Sequence, residues 1–399
     1  MTDLMAPAFA LRVEGGRLGE DVTRRVLGVR WEHTLDLAAC LEVALDDTGH
    51  TLSDGKWFAP GNELELYLGY GTELTFVGRG EIMRHLPTYP RDGAPTLRVR
   101  AYDRGFRLGL AQTEVTGGRS DRPKRKPGAQ AGRVHKGELG RVVGELLDAH
   151  GITPLVDPEL VGERVTYVQK KGTTDLQFLR ALARLWGAEL AVEWEPDSTS
   201  WVGYFLKPGR RPQTERYTFR WGDGDRTTLL AVELEFGTPE GATDLEAYVW
   251  DRAAGEWRAL REAKYTAGRS EKAEPGSVAE SPALGRHARA GSTVDPITSA
   301  TRLLLAVRGQ SVEVLTRPFQ NAAQAQRFAL DWWAQHRDAF VSARGLLPGV
   351  ETLRAGQTHR LEGLGVRHDG DYYLTRVEHR WEPGSGYLVS FDGHKVLTE

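Results

Sequence analysis

In the first quarter of the chain, hydrophobic residues recur at every second position. In ACLEVALDD, Ala39, Leu41, Val43 and Leu45 fall on one face of a strand, opposite Cys40, Glu42 and Ala44. NELELYLGYG repeats the alternation with Leu64, Leu66 and Leu68, and TLRVRAYDRG with Leu97, Val99 and Ala101. Gly, Asp and Pro clusters separate these runs. Residues 8–112 therefore predict antiparallel strands joined by turns, in a barrel or a sandwich.

The period changes over residues 137–207. Leu139, Val142, Val143, Leu146 and Leu147 follow helical spacing, and Gly151 stands where a left-handed C-terminal residue is needed. In TTDLQFLRALARLWGAELAVEWE, Thr174 and Gln177 have the spacing of a capping box. Phe178, Leu179, Leu182, Leu185 and Trp186 then form one apolar stripe, which Gly187 ends. ELAVEW and VGYFLKP follow as two strands around a short turn. The segment predicts a small α/β unit: helix, strand, helix, β-hairpin.

Alternation returns in TTLLAVELEF and EAYVWD over residues 214–262. Residues 263–298 are polar and rich in Gly, Pro and Ser, which predicts a long loop. A further helix is expected at 321–340, capped by Asn321, with Ala325, Phe328, Ala329, Trp332, Trp333 and Phe340 on its apolar face. The remaining residues read as strands punctuated by turns. The resulting division is 1–113, a first β-domain; 114–136, a basic loop; 137–213, the α/β unit; and 214–399, a second β-domain.

The two β-regions share a pattern. PGNELELYLGYG, FVGRGEI and DGAPTLRVRAYD have counterparts in AGQTHRLEGLG, HDGDYYLTRVEH and GSGYLVSFDG. Each series runs glycine, alternating strand, glycine, short strand, turn, and a strand ending in Asp. A common architecture is expected for the two halves.

Composition narrows the possibilities. With 46 glycines and short apolar runs, a β-rich chain is favoured over a helical bundle. The net charge of −3 argues against a general nucleic-acid or anionic-membrane binder. Cys40 is the only cysteine, so no intramolecular disulfide can form and a reducing compartment suits the chain. The sequence shows neither a signal-peptide pattern nor an apolar run long enough to span a membrane, so synthesis in the cytoplasm is expected. Residues 114–136 carry Arg119, Arg122, Lys124, Arg125, Lys126, Arg133 and Lys136 against Asp121. A solvated loop, a nucleic-acid-binding arm and a localisation signal would each have this composition, and a solvated loop is favoured.

Signals for catalysis are absent from the sequence. There is no phosphate-binding glycine loop, no HExxH and no GxSxG. His359, His368, His379 and His394 form the densest histidine set and read as solvent-facing. Asp369 and Asp371 in HDGDY lack the further oxygen ligands of a calcium loop and read as a turn. No cofactor or metal is expected. Trp332 and Trp333, on a helical stripe, suit core or interface packing better than carbohydrate stacking.

TYVQKKGTTDLQFLRALARLWGAELAVE resembles the characteristic segment of the phage late control protein D family. That family includes baseplate hub proteins of contractile phage tails and injection systems. It is related to the hub part of the valine-glycine-repeat spike proteins of type VI secretion. The positions that carry the resemblance are Gln169, Asp175, Phe178, Leu179, Leu182, Ala183 and Gly187. PAFALRVEGGRLGEDVTRRVLGVRWEH and GRGEIMRHLPTYPRDGAPTLRVRAYDRGFRL resemble the family's first strand pair and second hairpin. Residues 353–394, with Gly356, Gly363, Gly370, Tyr372 and His379, resemble its C-terminal barrel.

The resemblance implies a mixed, β-rich (α+β) fold: two tube-like antiparallel β-barrel domains with a small inserted α/β domain. It implies a structural role as a homotrimer that joins a hexameric inner tube to a trimeric spike around a channel. The partners would be the tube protein, the spike and other baseplate components, with no membrane contact and no specific nucleic-acid binding. Arg122, Lys124, Arg125 and Lys126 would then be candidate assembly contacts. Because the chain ends soon after its second β-domain, a separate spike protein is expected. From the residues alone, a β-rich hydrolase acting on polysaccharide or peptide and a carbohydrate-binding module are the alternatives.

Overall fold

A computed structural model describes residues 6–35, 37–110, 132–213, 215–222, 224, 228–236, 244–251, 256–262, 312–319 and 341–396. The expected loop at 263–298 and helix at 321–340 lie outside these residues. So do Arg122, Lys124, Arg125 and Lys126.

The first region holds β1 (Pro7–Val13), β2 (Gly16–Arg17), α1 (Glu20–Thr23), β3 (Val26–Thr34), β4 (Cys40–Asp46), β5 (Glu63–Tyr70), β6 (Glu73–Thr88), β7 (Thr96–Tyr102) and α2 (Gly105–Leu108). The middle region holds β8 (Gly132–Glu138), α3 (Leu139–Asp148), β9 (Thr153–Val156), β10 (Arg164–Lys170), α4 (Asp175–Leu185), β11 (Glu189–Glu195) and β12 (Ser200–Leu206). The last holds β13 (Thr218–Arg220), β14 (Ala231–Phe236), β15 (Asp244–Asp251), β16 (Glu256–Glu262), β17 (Val312–Phe319), β18 (Val341–Pro348), β19 (Thr358–Glu362), β20 (Gly370–Glu382) and β21 (Gly386–Lys395).

The alternating runs form the strands the pattern predicts. Leu41, Val43, Leu45, Leu64, Leu66, Leu68, Leu97, Val99 and Ala101 are all fully buried in one core, while Cys40, Glu42 and Ala44 face the other way. Each buried leucine contributes about 1.5–3 kcal/mol, so this inward face drives the folding of the first region.

The two β-regions share one sheet, while β16, β15 and β17 form a separate three-stranded one. The order of the shared sheet is β14-β18-β21-β20-β3-β4-β7-β6-β5-β1-β2, with β19 on β20 and β13 on β19. β20 and β3 make the joint, with Arg376 opposite Thr34 and Trp381 opposite Val29. The sheet curls until β1 reaches the β20–β21 hairpin. There Trp381 packs on Phe9 at 4.3 Å between ring centroids and donates its indole N–H to the Pro7 carbonyl at 3.3 Å.

Within this sheet the expected repeat is a repeat of connectivity. The first half is ordered β3-β4-β7-β6-β5-β1 and the second β14-β18-β21-β20-β19-β13, the same path strand for strand. The registers agree as well. Ile82 lies opposite Ala101 before a bulge in β6, and Leu374 opposite Gly393 before a bulge in β20. Gly61 N–H donates to Ile82 O, and Gly356 N–H donates to Leu374 O, in matching turns. Both glycines have left-handed φ, +93° and +85°. The halves differ at their outer strands, where β1 runs antiparallel to β5 but β13 runs parallel to β19.

The middle region has its own core, built from the predicted stripes of α3 and α4 against the β11–β12 hairpin. Gly187 (φ +60°) turns the chain after α4, as expected. One boundary differs from the expectation. Residues 132–136, assigned to the basic loop, belong to β8, which pairs with β10 along its length. Charged side chains masked a strand that is exposed on one face.

Candidate functional site

The residues that carry the family resemblance converge at the start of α4. Thr174 caps the helix: its Oγ1 accepts from Gln177 N–H at 3.2 Å, and Gln177 Oε1 accepts from Thr174 N–H at 3.1 Å. Asp175 follows, its carboxylate favourably placed in the first helical turn. Asp175 Oδ1 accepts from Gln169 Nε2 at 2.8 Å, and Oδ2 accepts from His150 Nε2 at 2.9 Å. Gln169 is buried. Its amide also donates to Thr173 O, and its Oε1 accepts from His135 Nε2 at 2.9 Å. His135 in turn stacks on Phe178, with centroids 4.7 Å apart.

The network thus ties β8, β10, the end of α3 and the start of α4 together. Phe178, Leu179, Leu182 and Ala183 are buried beneath it. Sequence reasoning missed its two histidines, one hidden in the basic segment and the other at a helix end. Asp175→Ala removes the acceptor shared by Gln169 and His150, and should cost about 1–3 kcal/mol. Denaturant unfolding should show a loss clearly larger than that for Asp175→Asn, which keeps the Oδ1 acceptor.

A second cluster joins the α/β unit to both halves of the sheet. Glu193, in β11, lies 2.5 Å from Arg211 Nη2 and 3.2 Å from His33 Nε2 in β3. Arg211 also donates to Ala355 O at 2.6 Å, and Arg354 donates to Glu351 O at 2.7 Å and to Leu353 O at 2.9 Å. Burial alone would raise the Glu193 carboxyl, but Arg211, His33 and Arg354 outweigh it and hold it at about 2. Burial lowers His33 to about 4. The arrangement is a charge-paired clamp, and Glu193 is the only carboxylate among these four side chains.

The remaining expected residues spread over the second half. Gly363 lies in the turn after β19, Gly370 opens β20, and buried Tyr372 donates its hydroxyl to His368 O at 2.8 Å. Two of the four histidines expected to face solvent are instead fully buried: His359 and His379. His379 Nε2–H donates to Leu353 O at 2.9 Å while Nδ1 accepts from the Tyr387 hydroxyl at 2.8 Å. His359 Nδ1 accepts from Tyr217 N–H at 3.1 Å, and its Nε2–H donates to Gln357 Oε1 at 3.2 Å. Strand parity gave the signal, since His379 shares a face with Val377. Among the described residues, no group of three or more His, Cys, Asp or Glu side chains is arranged to hold a metal ion. No helix among them is long and apolar enough to cross a membrane.

These buried groups set a pH dependence. Burial lowers His359 to about 4 and His379 to about 3, so with His33 three imidazoles stay neutral in the fold where the unfolded chain would protonate them. Below the ordinary histidine value of 6.5, unfolding takes up these protons and stability falls. Asp103 works in the opposite sense. Burial raises it to about 7 against backbone donors, so between its ordinary value of 3.8 and 7 unfolding releases its proton. Three protons taken up against one released leave a net uptake of two. Stability should therefore fall by up to about 3 kcal/mol per pH unit between about pH 6.5 and 4. A melting temperature that holds level from pH 7 to 5 would contradict this balance.

No protein-family model and no curated protein matches the sequence. Solved structures do, with 41 matching chains. A tail protein from Neisseria meningitidis MC58 superposes with a TM-score of 0.61 at 10% identity, over 98% of this chain and 96% of that one. The 43 kDa tail protein of prophage MuSo2 from Shewanella oneidensis gives 0.59 at 11% identity, over 98% of each chain. A type VI secretion component of Escherichia coli, described as structurally similar to the T4 bacteriophage tail proteins gp27 and gp5, gives 0.54 at 11% identity, over 98% of this chain and 77% of that one. Over nearly its whole length, the chain has the mixed, β-rich fold of these phage tail and type VI secretion proteins.

Proposed function

We propose that the chain is a structural hub of a contractile tail or injection particle: a three-fold ring that joins a hexameric inner tube to a trimeric spike around a central channel. The observation that carries this reading is the duplicated strand path, β3-β4-β7-β6-β5-β1 and β14-β18-β21-β20-β19-β13. A chain with two like halves presents six like units when three copies close a ring, while its true symmetry remains three-fold. That is what an adaptor between a six-fold and a three-fold partner requires. The shared fold with tail proteins supports the same reading. The basic residues Arg122, Lys124, Arg125 and Lys126 would serve as docking contacts for acidic surfaces of neighbouring components.

Light scattering after size-exclusion chromatography tests the proposal, on the chain alone and mixed with tube or spike protein. A trimer in either condition is expected. A chain that remains monomeric with both partners present would overturn the reading.

A further inference from the structure

The joint between the two halves is made by the second half of β20, Arg376–Trp381, pairing with β3. The corresponding stretch of β6, from Arg84 to Thr88, pairs only with β7 among the described residues, so its other edge is open. At the far end of the sheet β14, the counterpart of β3, pairs only with β18 among the described residues. Among the described residues, one chain thus carries both members of a strand joint in unpaired form, and an exposed edge is a template for another strand.

We propose that β14 of one copy pairs antiparallel with the Arg84–Thr88 edge of β6 in the next, repeating between copies the β3–β20 joint within each copy. The inference rests on the ring reading above and specifies its seam. The matched registers fix the alignment. Trp31 lies opposite Leu41 in the first half and Leu234 opposite Ala343 in the second, so Glu32 corresponds to Glu235 and Arg30 to Glu233. On the other strand, the bulges align Arg376 with Arg84, Glu378 with Leu86 and Trp381 with Tyr89. Glu378 lies opposite Glu32, so Leu86 would lie opposite Glu235 of the next copy.

Charge supports this register. Within the chain, Arg376 Nε meets Glu32 diagonally across the joint at 2.7 Å. The corresponding pair between copies is Arg84 with Glu235, again opposite in sign. Both side chains are exposed, and neither forms an ion pair among the described residues. Apolar exposure supports it too. Tyr89, which follows β6, is 61% exposed, and Leu230, which precedes β14, is 47% exposed. The register places Tyr89 opposite Val232 of the next copy, as Trp381 lies opposite Val29 within the chain.

Paired cysteines test the seam in the full chain with Cys40→Ser as background. Leu86→Cys combined with Glu235→Cys should form a disulfide between copies on mild oxidation, giving a covalent trimer that either single variant lacks. Arg84→Glu or Glu235→Arg should weaken self-association about tenfold or more, and the two together should restore it. A wild-type trimer in which the cysteine pair stays uncrosslinked and the charge reversals have no effect would overturn the seam while leaving the ring intact. A crosslinked ladder that runs past three copies would uphold the seam and contradict three-fold closure. A wild-type chain with no self-association, with or without tube and spike, would overturn both.

Discussion

Glu193→Ala should destabilise the protein by about 3 kcal/mol, the low end of the range expected when one partner of a buried charge cluster is removed, because the Glu193 side chain is partly exposed. Its carboxylate sits on the α/β unit, His33 belongs to the first half of the sheet, and Arg354 precedes the β19 strand of the second. Deleting it leaves the half-buried Arg211 and Arg354 guanidinium groups without their main counter-charge. Their remaining hydrogen bonds go to neutral carbonyl groups. The loss should be cooperative across the three parts. Hydrogen exchange should show weakened protection in β11, in β3 and around Arg354 at once, because one ion pair network spans them. Glu193→Gln should recover only part of the loss, since an amide restores hydrogen bonding but not charge. A loss below about 1 kcal/mol, or one confined to β11, would mean that the clamp is not what seats the α/β unit.

The second large effect tests the duplication itself. Gly345 in β18 lies directly opposite Phe391 in β21, while the matching positions of the first half are Val43 and Val99. A Cβ added at Gly345 would enter the Phe391 ring. Both halves fill the same space, one with two medium side chains and the other with a large one and none. Gly345→Val should therefore cost about 3 kcal/mol by overpacking, and Phe391→Val a similar amount by leaving a cavity. Combined, they recreate the Val–Val pair of the first half and should recover much of the loss. A double-mutant cycle should give an interaction energy of at least about 1 kcal/mol in the favourable direction. Strictly additive losses would show that the two halves are not equivalent in packing.

Half-buried strands were legible in the sequence because burial on one face forces apolar residues onto every second position. ACLEVALDD and NELELYLGYG needed no other information. The capping box of α4 and the stop at Gly187 were legible because both are local. What the sequence hid depends on pairing over distance. The β3–β20 joint links strands more than three hundred residues apart, and nothing local to WEHT or RVEHRWE names the partner. The buried clamp was hidden for a related reason: Glu193 lies in a hairpin between other acidic residues, where a glutamate reads as solvent-facing. Its burial follows only once His33 and Arg211 are brought beside it. The signature residues Gln169 and Asp175 were found as determinants of a turn and a cap. The structure adds His135 and His150 as the groups that complete their hydrogen bonding.

The proposed hub is three chains in one ring of six like units. Cryo-electron microscopy of the chain, assembled with its tube protein if it does not close alone, measures this directly. The expected map is a closed ring with six similar lobes at low resolution that resolves into three-fold symmetry, its seams alternating between β3–β20 and β14–β6 pairings. A two-fold dimer, or a ring whose lobes number other than six, would contradict it.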